Sequence, residues 1–195
     1  HARLYEPTCT QALEQAQARG VVEDSRAWLA RRRLTTLVDH ADFYLERTRS
    51  DAWMQRHVEV DGAWPPPDQA GMLLTFHWGA GMWALRHAAR HGLRPHALAA
   101  IPEPAHFAGN TIAYLYSHHR IAAVTCALRQ PALDVQASLR PVLRALEARQ
   151  QVLAVVDVPA DQTATSHPVQ LCGIDARVPN ALFRLAVQRR IPVTV

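Results

Sequence analysis

The sequence contains no lysine: all 21 basic residues among its 195 are arginine. Guanidinium groups bind phosphate in a bidentate manner and stay charged. Set against 17 acidic residues they leave a net charge of +4 and a pI near 9.4. That excess fits phosphate-bearing substrates or an anionic membrane surface. Cysteine is scarce. Cys9, Cys126 and Cys172 are odd in number and widely spaced, which excludes a disulfide framework and a zinc motif and fits a reducing compartment. No apolar run reaches the length of about 18 residues that a membrane span needs, and no signal-peptide pattern opens the chain. A soluble or peripheral protein is expected. The arginines are scattered, and neither an aromatic-basic module nor a helix-turn-helix pattern is present, so nucleic acid is not an expected partner. Gly-x-Ser-x-Gly, the P-loop and the full dinucleotide fingerprint are all missing, as are internal repeats and low-complexity tracts.

What is present begins with about 60 residues of helical character. Thr10 and Asp24 or Ser25 are candidate caps, Gly20 is a stop, and Trp28, Leu29, Leu34 and Leu37 recur at helical spacing. Trp64-Pro65-Pro66-Pro67 breaks the pattern and divides a helical segment over 1–64 from an α/β core over 68–195. In the core, strands are predicted over 72–76, 97–101, 121–125, 152–156 and 191–195. Helices are predicted over 81–91, 107–119, 135–149 (capped by Asp134) and 180–190, and a hairpin over 167–177. The alternation predicts an α/β fold with a mainly parallel sheet flanked by helices. The chain stops within the last predicted strand, which reads as a portion of a longer protein.

The segment Gly71 to Met82 carries the strongest chemical signal. An apolar strand runs into His77, and Gly79 and Gly81 then open a helix. A histidine there sits where a sheet delivers reactive side chains and where a helix N-terminus faces them. The helix dipole disfavours imidazolium, and a neutral imidazole is what a general base needs. The alternative is a structural histidine bonded to backbone. Trp78 and Met82 are candidates to wall an apolar slot, and Gly79 to admit a ligand closely. Asp157 and Asp161 follow the predicted strand 152–156, at the carboxyl end where sheets place their sites. Either aspartate also fits a simple loop-forming role. His87 and His91, four apart, have a zinc-compatible spacing but lack a third ligand, and a solvated face is the preferred reading. His118-His119-Arg120 reads as a helix end. Arg31-Arg32-Arg33 reads as a solvated helix face, with lipid headgroups as the alternative contact. No metal site and no cofactor is expected.

Several blocks in order resemble the bacterial lipid A late acyltransferases, which add lauroyl or myristoyl chains. Leu73-Leu74-Thr75-Phe76-His77-Trp78-Gly79 is similar to the strand that leads into that family's His-x4-Asp/Glu motif. Val152 to Asp161 is similar to its later strand and Asp-containing loop. Leu171 to Pro179, the helix that follows, and Ile191-Pro192-Val193 resemble its turn, helix and final strand. The likeness covers roughly Gly71 to Val195.

The resemblance implies a glycerolipid-acyltransferase-like fold and an acyl thioester donor on acyl carrier protein or coenzyme A. It also implies a hydroxyl acceptor on a lipid or glycolipid, and a cytoplasmic protein held peripherally at the inner face of the cytoplasmic membrane. His77 would be the base, with Asp157 or Asp161 beside it and Trp78, Gly79, Met82 and Arg177 lining the substrate. Two departures stand out. Met82 occupies the acid's position, and a thioether cannot accept a strong hydrogen bond from imidazole. The family's later Arg-Pro block reads Ala100-Ile101-Pro102-Glu103-Pro104, so Glu103, Asp157 and Asp161 are the candidate replacement acids.

Overall fold

The computed structural model describes residues 2–77, 79, 81–136, 138–158, 163, 165–171 and 173–195, with backbone alone for 2–8. Three helices come first: α1 (Ala2–Ala18), α2 (Ser25–Thr48) and α3 (Asp51–His57). Thr10 lies inside α1, which begins eight residues before it, so it is not that helix's N-cap. Gly20, at φ +68°, ends that run in the left-handed region, where a side chain would be strained. Asp24 Oδ1 caps α2 by accepting from the amides of Arg26 (2.8 Å) and Ala27 (3.2 Å). Among the described residues, no helix is long and apolar enough to cross a membrane.

The core alternates strands and helices: β1 (Gly71–Thr75), α4 (Gly81–Arg90), β2 (His96–Ala99), a 3-10 turn (Pro104–Phe107), α5 (Thr111–Leu128), β3 (Leu133–Asp134), α6 (Arg140–Glu147) and β4 (Gln151–Val155). A hairpin of β5 (Ser166–Leu171) and β6 (Ile174–Pro179) follows, then α7 (Ala181–Arg189) and β7 (Val193–Thr194). Five strands form one all-parallel sheet in the order β3-β2-β4-β1-β7. Each crossover must then pass over a face of the sheet, and the two directions of travel use opposite faces. Met72, Leu74, Val152, Ala154 and Val156 pack against Val142, Ala145 and Leu146 of α6 and Leu185 and Ala186 of α7. Leu73 and Leu153, pointing the other way, pack with Ala88 of α4 and with Leu93 and Trp64. This alternation is the period of two of a strand buried on both faces.

Two predicted elements are corrected. The β-branched run 121–125 is the middle of α5. Asn110 Oδ1 caps that helix on the Ala113 amide (3.1 Å), and it runs on to Arg129, whose φ of +55° stops it. Ala122, Ala123 and Ala127 supply the helix propensity that the β-branched neighbours lack. His118-His119-Arg120 is therefore mid-helix; His119 accepts from Arg47 of α2 at 2.6 Å. The predicted helix 135–149 shrinks to α6. Pro141 fits only the first turn of a helix, so α6 starts at Arg140. Asp134 instead ends β3, and its Oδ1 accepts from the Gln136 amide at 3.0 Å.

The helical preface is bolted to the core mainly through α4. Phe43 of α2 is fully buried against Met82 and Ala123. Asp51 of α3 accepts from Arg86 Nε (3.0 Å) and Nη2 (2.6 Å) and from Arg90. Arg86 also donates to the carbonyls of Glu46 and of Arg49 (2.8 Å), so one guanidinium closes the end of α2.

Candidate active site

The sheet's connections diverge at its middle. The chain leaves β1 towards β2 on one side and leaves β4 towards β7 on the other. Crossovers that part in this way open a crevice at the carboxyl ends of the two central strands. β1 and β4 pair in register from Gly71↔Gln151 to Thr75↔Val155. Carried two residues further, the same offset of 80 sets His77 opposite Asp157, and the two meet.

The Val156 amide donates to the Thr75 carbonyl at 2.8 Å, which closes the last backbone rung. At the next position the His77 amide donates to Asp157 Oδ2 at 2.8 Å, and His77 Nδ1 lies 2.9 Å from Asp157 Oδ1. A carboxylate only accepts hydrogen bonds, so Nδ1 carries the hydrogen and the Nε2 lone pair is left to face outward. Among the described residues no hydrogen bond is made to Nε2. The imidazole is 67% exposed and the carboxylate 30%. His77 is thus neither a buried structural histidine nor one bonded only to backbone. Asp157 likewise does more than shape its loop.

Gly79 follows with φ +50°, a conformation that penalises other residues, and its carbonyl accepts from the Gly81 amide at 2.9 Å. α4 then begins. The amides of its first turn, at Met82 and Trp83, have no acceptor within the helix and carry the positive end of its dipole. A base with an oriented imidazole thus stands just before a helix N-terminus, an arrangement suited to removing a proton and stabilising an anion.

The remaining expected site residues are dispersed. Met82 does not wall a slot: it is 6% exposed and packs inward against Phe43 and Ala123, because the first turn of α4 must bury one face under α2 and α5. Arg177 is tied into the hairpin, with Nε donating to Ser166 Oγ at 2.9 Å and Nη2 to the Ser166 carbonyl at 3.3 Å. It borders an open groove with Pro168, Val169 and Asp175. Glu103 heads the 3-10 turn, where its amide donates to His106 Nδ1 at 3.4 Å. Trp78 and Asp161, expected at the site, and Cys172 lie outside the described residues. His87 is not on a solvated face. Its Nδ1 accepts from Trp64 Nε1 at 2.8 Å, and its ring lies 4.3 Å from that of His91. Among the described residues no group of three or more His, Cys, Asp or Glu side chains is arranged to hold a metal ion.

The sequence singles out His77 and Asp157 separately. A usable signal for their union is that each stands two residues beyond the end of an apolar strand, so parallel pairing of those strands aligns them. No protein-family model matches the chain, and no curated protein matches it.

Proposed function

We propose that the protein is an acyltransferase of the lipid A late acyltransferase type, built on a glycerolipid-acyltransferase-like core, in which Asp157 serves in place of the missing acid. The observation that carries this reading is the 2.9 Å contact of His77 Nδ1 with Asp157, which points Nε2 outward at the crevice of a parallel sheet. Nε2 takes the proton of an acceptor hydroxyl, and the oxygen attacks the carbonyl carbon of an acyl thioester. The tetrahedral oxyanion rests on amides of the first turn of α4. As it collapses, the carbon–sulfur bond breaks, and the imidazolium returns its proton to the leaving thiolate. Asp157 holds the tautomer and balances the imidazolium charge. The donor is a thioester of acyl carrier protein or coenzyme A, and the acceptor is a lipid or glycolipid hydroxyl. The protein works at the inner face of the cytoplasmic membrane.

A second reading rests on Met82. A methionine at the acid's position and turned into the core also fits a homologue that binds an acyl chain, or scaffolds a membrane-associated biosynthetic complex, without transferring acyl groups. Acyl transfer and thioester hydrolysis, assayed with both donor types, separate the two. Wild type is expected to turn over, His77→Ala to lose activity, and Asp157→Asn to lose about 10³- to 10⁴-fold in kcat with donor KM little changed. Equal activity in wild type and His77→Ala removes His77 from the mechanism. No turnover by wild type, with acyl-thioester binding retained, supports the second reading.

A further inference from the structure

The outward face of α2 remains without a role. At 100° per residue, Ala30, Leu34, Leu37, Val38, Ala41 and Tyr44 fall on one stripe, opposite buried Phe43 and Glu46. Leu34 is 60% exposed, Leu37 53%, Val38 48% and Tyr44 54%. This is a continuous apolar strip on a helix whose other face already meets the core. Its borders carry one sign of charge: Arg26, Arg31 and Arg33 are exposed along it. The acidic residues of α2 lie off the strip and are engaged by other elements. Asp39 accepts from Arg120 and Asp42 from Trp83, both at 3.4 Å, and Glu46 is buried near Arg86.

The strip has a defined place relative to His77. Phe43 meets Met82, Asp42 meets Trp83, and Glu46 and Asp51 meet Arg86, so α2 and α4 run in the same direction. The start of α4, just after His77, is level with residues 42–43 of α2. Residues 34–38 therefore extend about 7–13 Å beyond it, on the side to which the sheet's carboxyl ends point. At the start of α5, which follows the carboxyl end of β2, Ile112 (68% exposed) and Leu115 (59%) add apolar surface at the same end.

We infer that the outer face of α2 docks on an anionic lipid surface and lies in its interface. Apolar side chains enter the acyl boundary, Tyr44 sits at headgroup level, and the bordering arginines meet phosphates. A second copy packed face to face on the strip is a poorer occupant, since it sets the same arginine rim against itself. Docking in this way places the His77 end of the molecule next to the bilayer. The docking stands independently of acyl transfer by His77.

Cosedimentation with vesicles tests this, comparing phosphatidylcholine alone with an equimolar mixture of phosphatidylcholine and phosphatidylglycerol. Wild type and His77→Ala are expected to bind the anionic vesicles alike, more weakly at high salt and more weakly still to the neutral ones. Leu34→Glu with Leu37→Glu is expected to lose binding at least tenfold. Arg26→Gln, Arg31→Gln and Arg33→Gln together are expected to lose about 10- to 100-fold along with most of the salt dependence. Circular dichroism of both variants checks that α2 is retained. Failure of wild type to bind, or binding by both variants at the wild-type level, overturns the inference. So does sedimentation equilibrium showing a wild-type dimer that the leucine substitutions convert to monomer, because the strip is then covered by a second copy.

Discussion

His77 is gripped twice by one carboxylate, through its amide (2.8 Å) and through its ring (2.9 Å), and the two grips respond differently to substitution. Asparagine at position 157 offers one oxygen and one NH₂ group. The oxygen can still accept from the His77 amide. The NH₂ then faces Nδ1 and can only donate, which moves the imidazole hydrogen to Nε2, where the base must be empty. Asp157→Asn is therefore a tautomer lesion with little effect on the fold. Met82 gives the converse case. Restoring the acid of the motif by Met82→Glu would place a carboxylate in the apolar cluster of Phe43 and Ala123, where Met82 is only 6% exposed. The expected outcome is a loss of about 3 kcal/mol or more in urea unfolding and no gain in acyl transfer.

At the scale of elements, the loop before β1 is latched to α4 through a single ring. Trp64 Nε1 donates to His87 Nδ1 at 2.8 Å, so His87 must be neutral there. Burial, and secondarily the neighbouring His91, lower its pKa from the ordinary 6.5. The unfolded chain then binds the extra proton between the lowered value and 6.5. The latch's contribution is complete above pH 6.5 and is lost as the pH falls through the folded-state value. Urea titrations below pH 6.5 are expected to show falling stability, with a shallower slope in His87→Gln. A residual slope is expected from His40, whose pKa burial also lowers. The elements that were legible in sequence share a cause: β1, β4, α4 and α7 are apolar runs bounded by glycine, proline or polar breaks. Those that were not legible turn on competition. The segment 121–125 is β-branched, yet it lies between a cap at Asn110 and a stop at Arg129 that only a helix satisfies. Asp134 has the chemistry of a cap, but Pro141 moves the helix start five residues on. His77 and Asp157 were both visible, each two residues past an apolar strand, but their bond also required those two strands to be neighbours, which no local pattern encodes.

At the scale of the whole molecule, the helical preface and the sheet are coupled by Asp51, the shared acceptor of Arg86 and Arg90. Arg86 donates to Asp51 and holds its carboxyl below its ordinary pKa, so the tie is complete above that pKa and is lost as the pH falls through the lowered value. The carboxylate is 38% exposed and therefore screened. Asp51→Asn is expected to cost only about 1 kcal/mol in water, and less at high salt, by chemical denaturation. The bond between His77 and Asp157 has a consequence of another kind, in time rather than space. It spans 80 positions of the chain and forms only when β1 and β4 are zipped in their native register. Closing so long a loop is slow, and contacts of that separation come late. A slip by one residue would set Val158 opposite His77 in place of the acid. Competence at His77 is therefore among the last properties a refolding chain acquires, and its return reports that the centre of the sheet has closed in the native register.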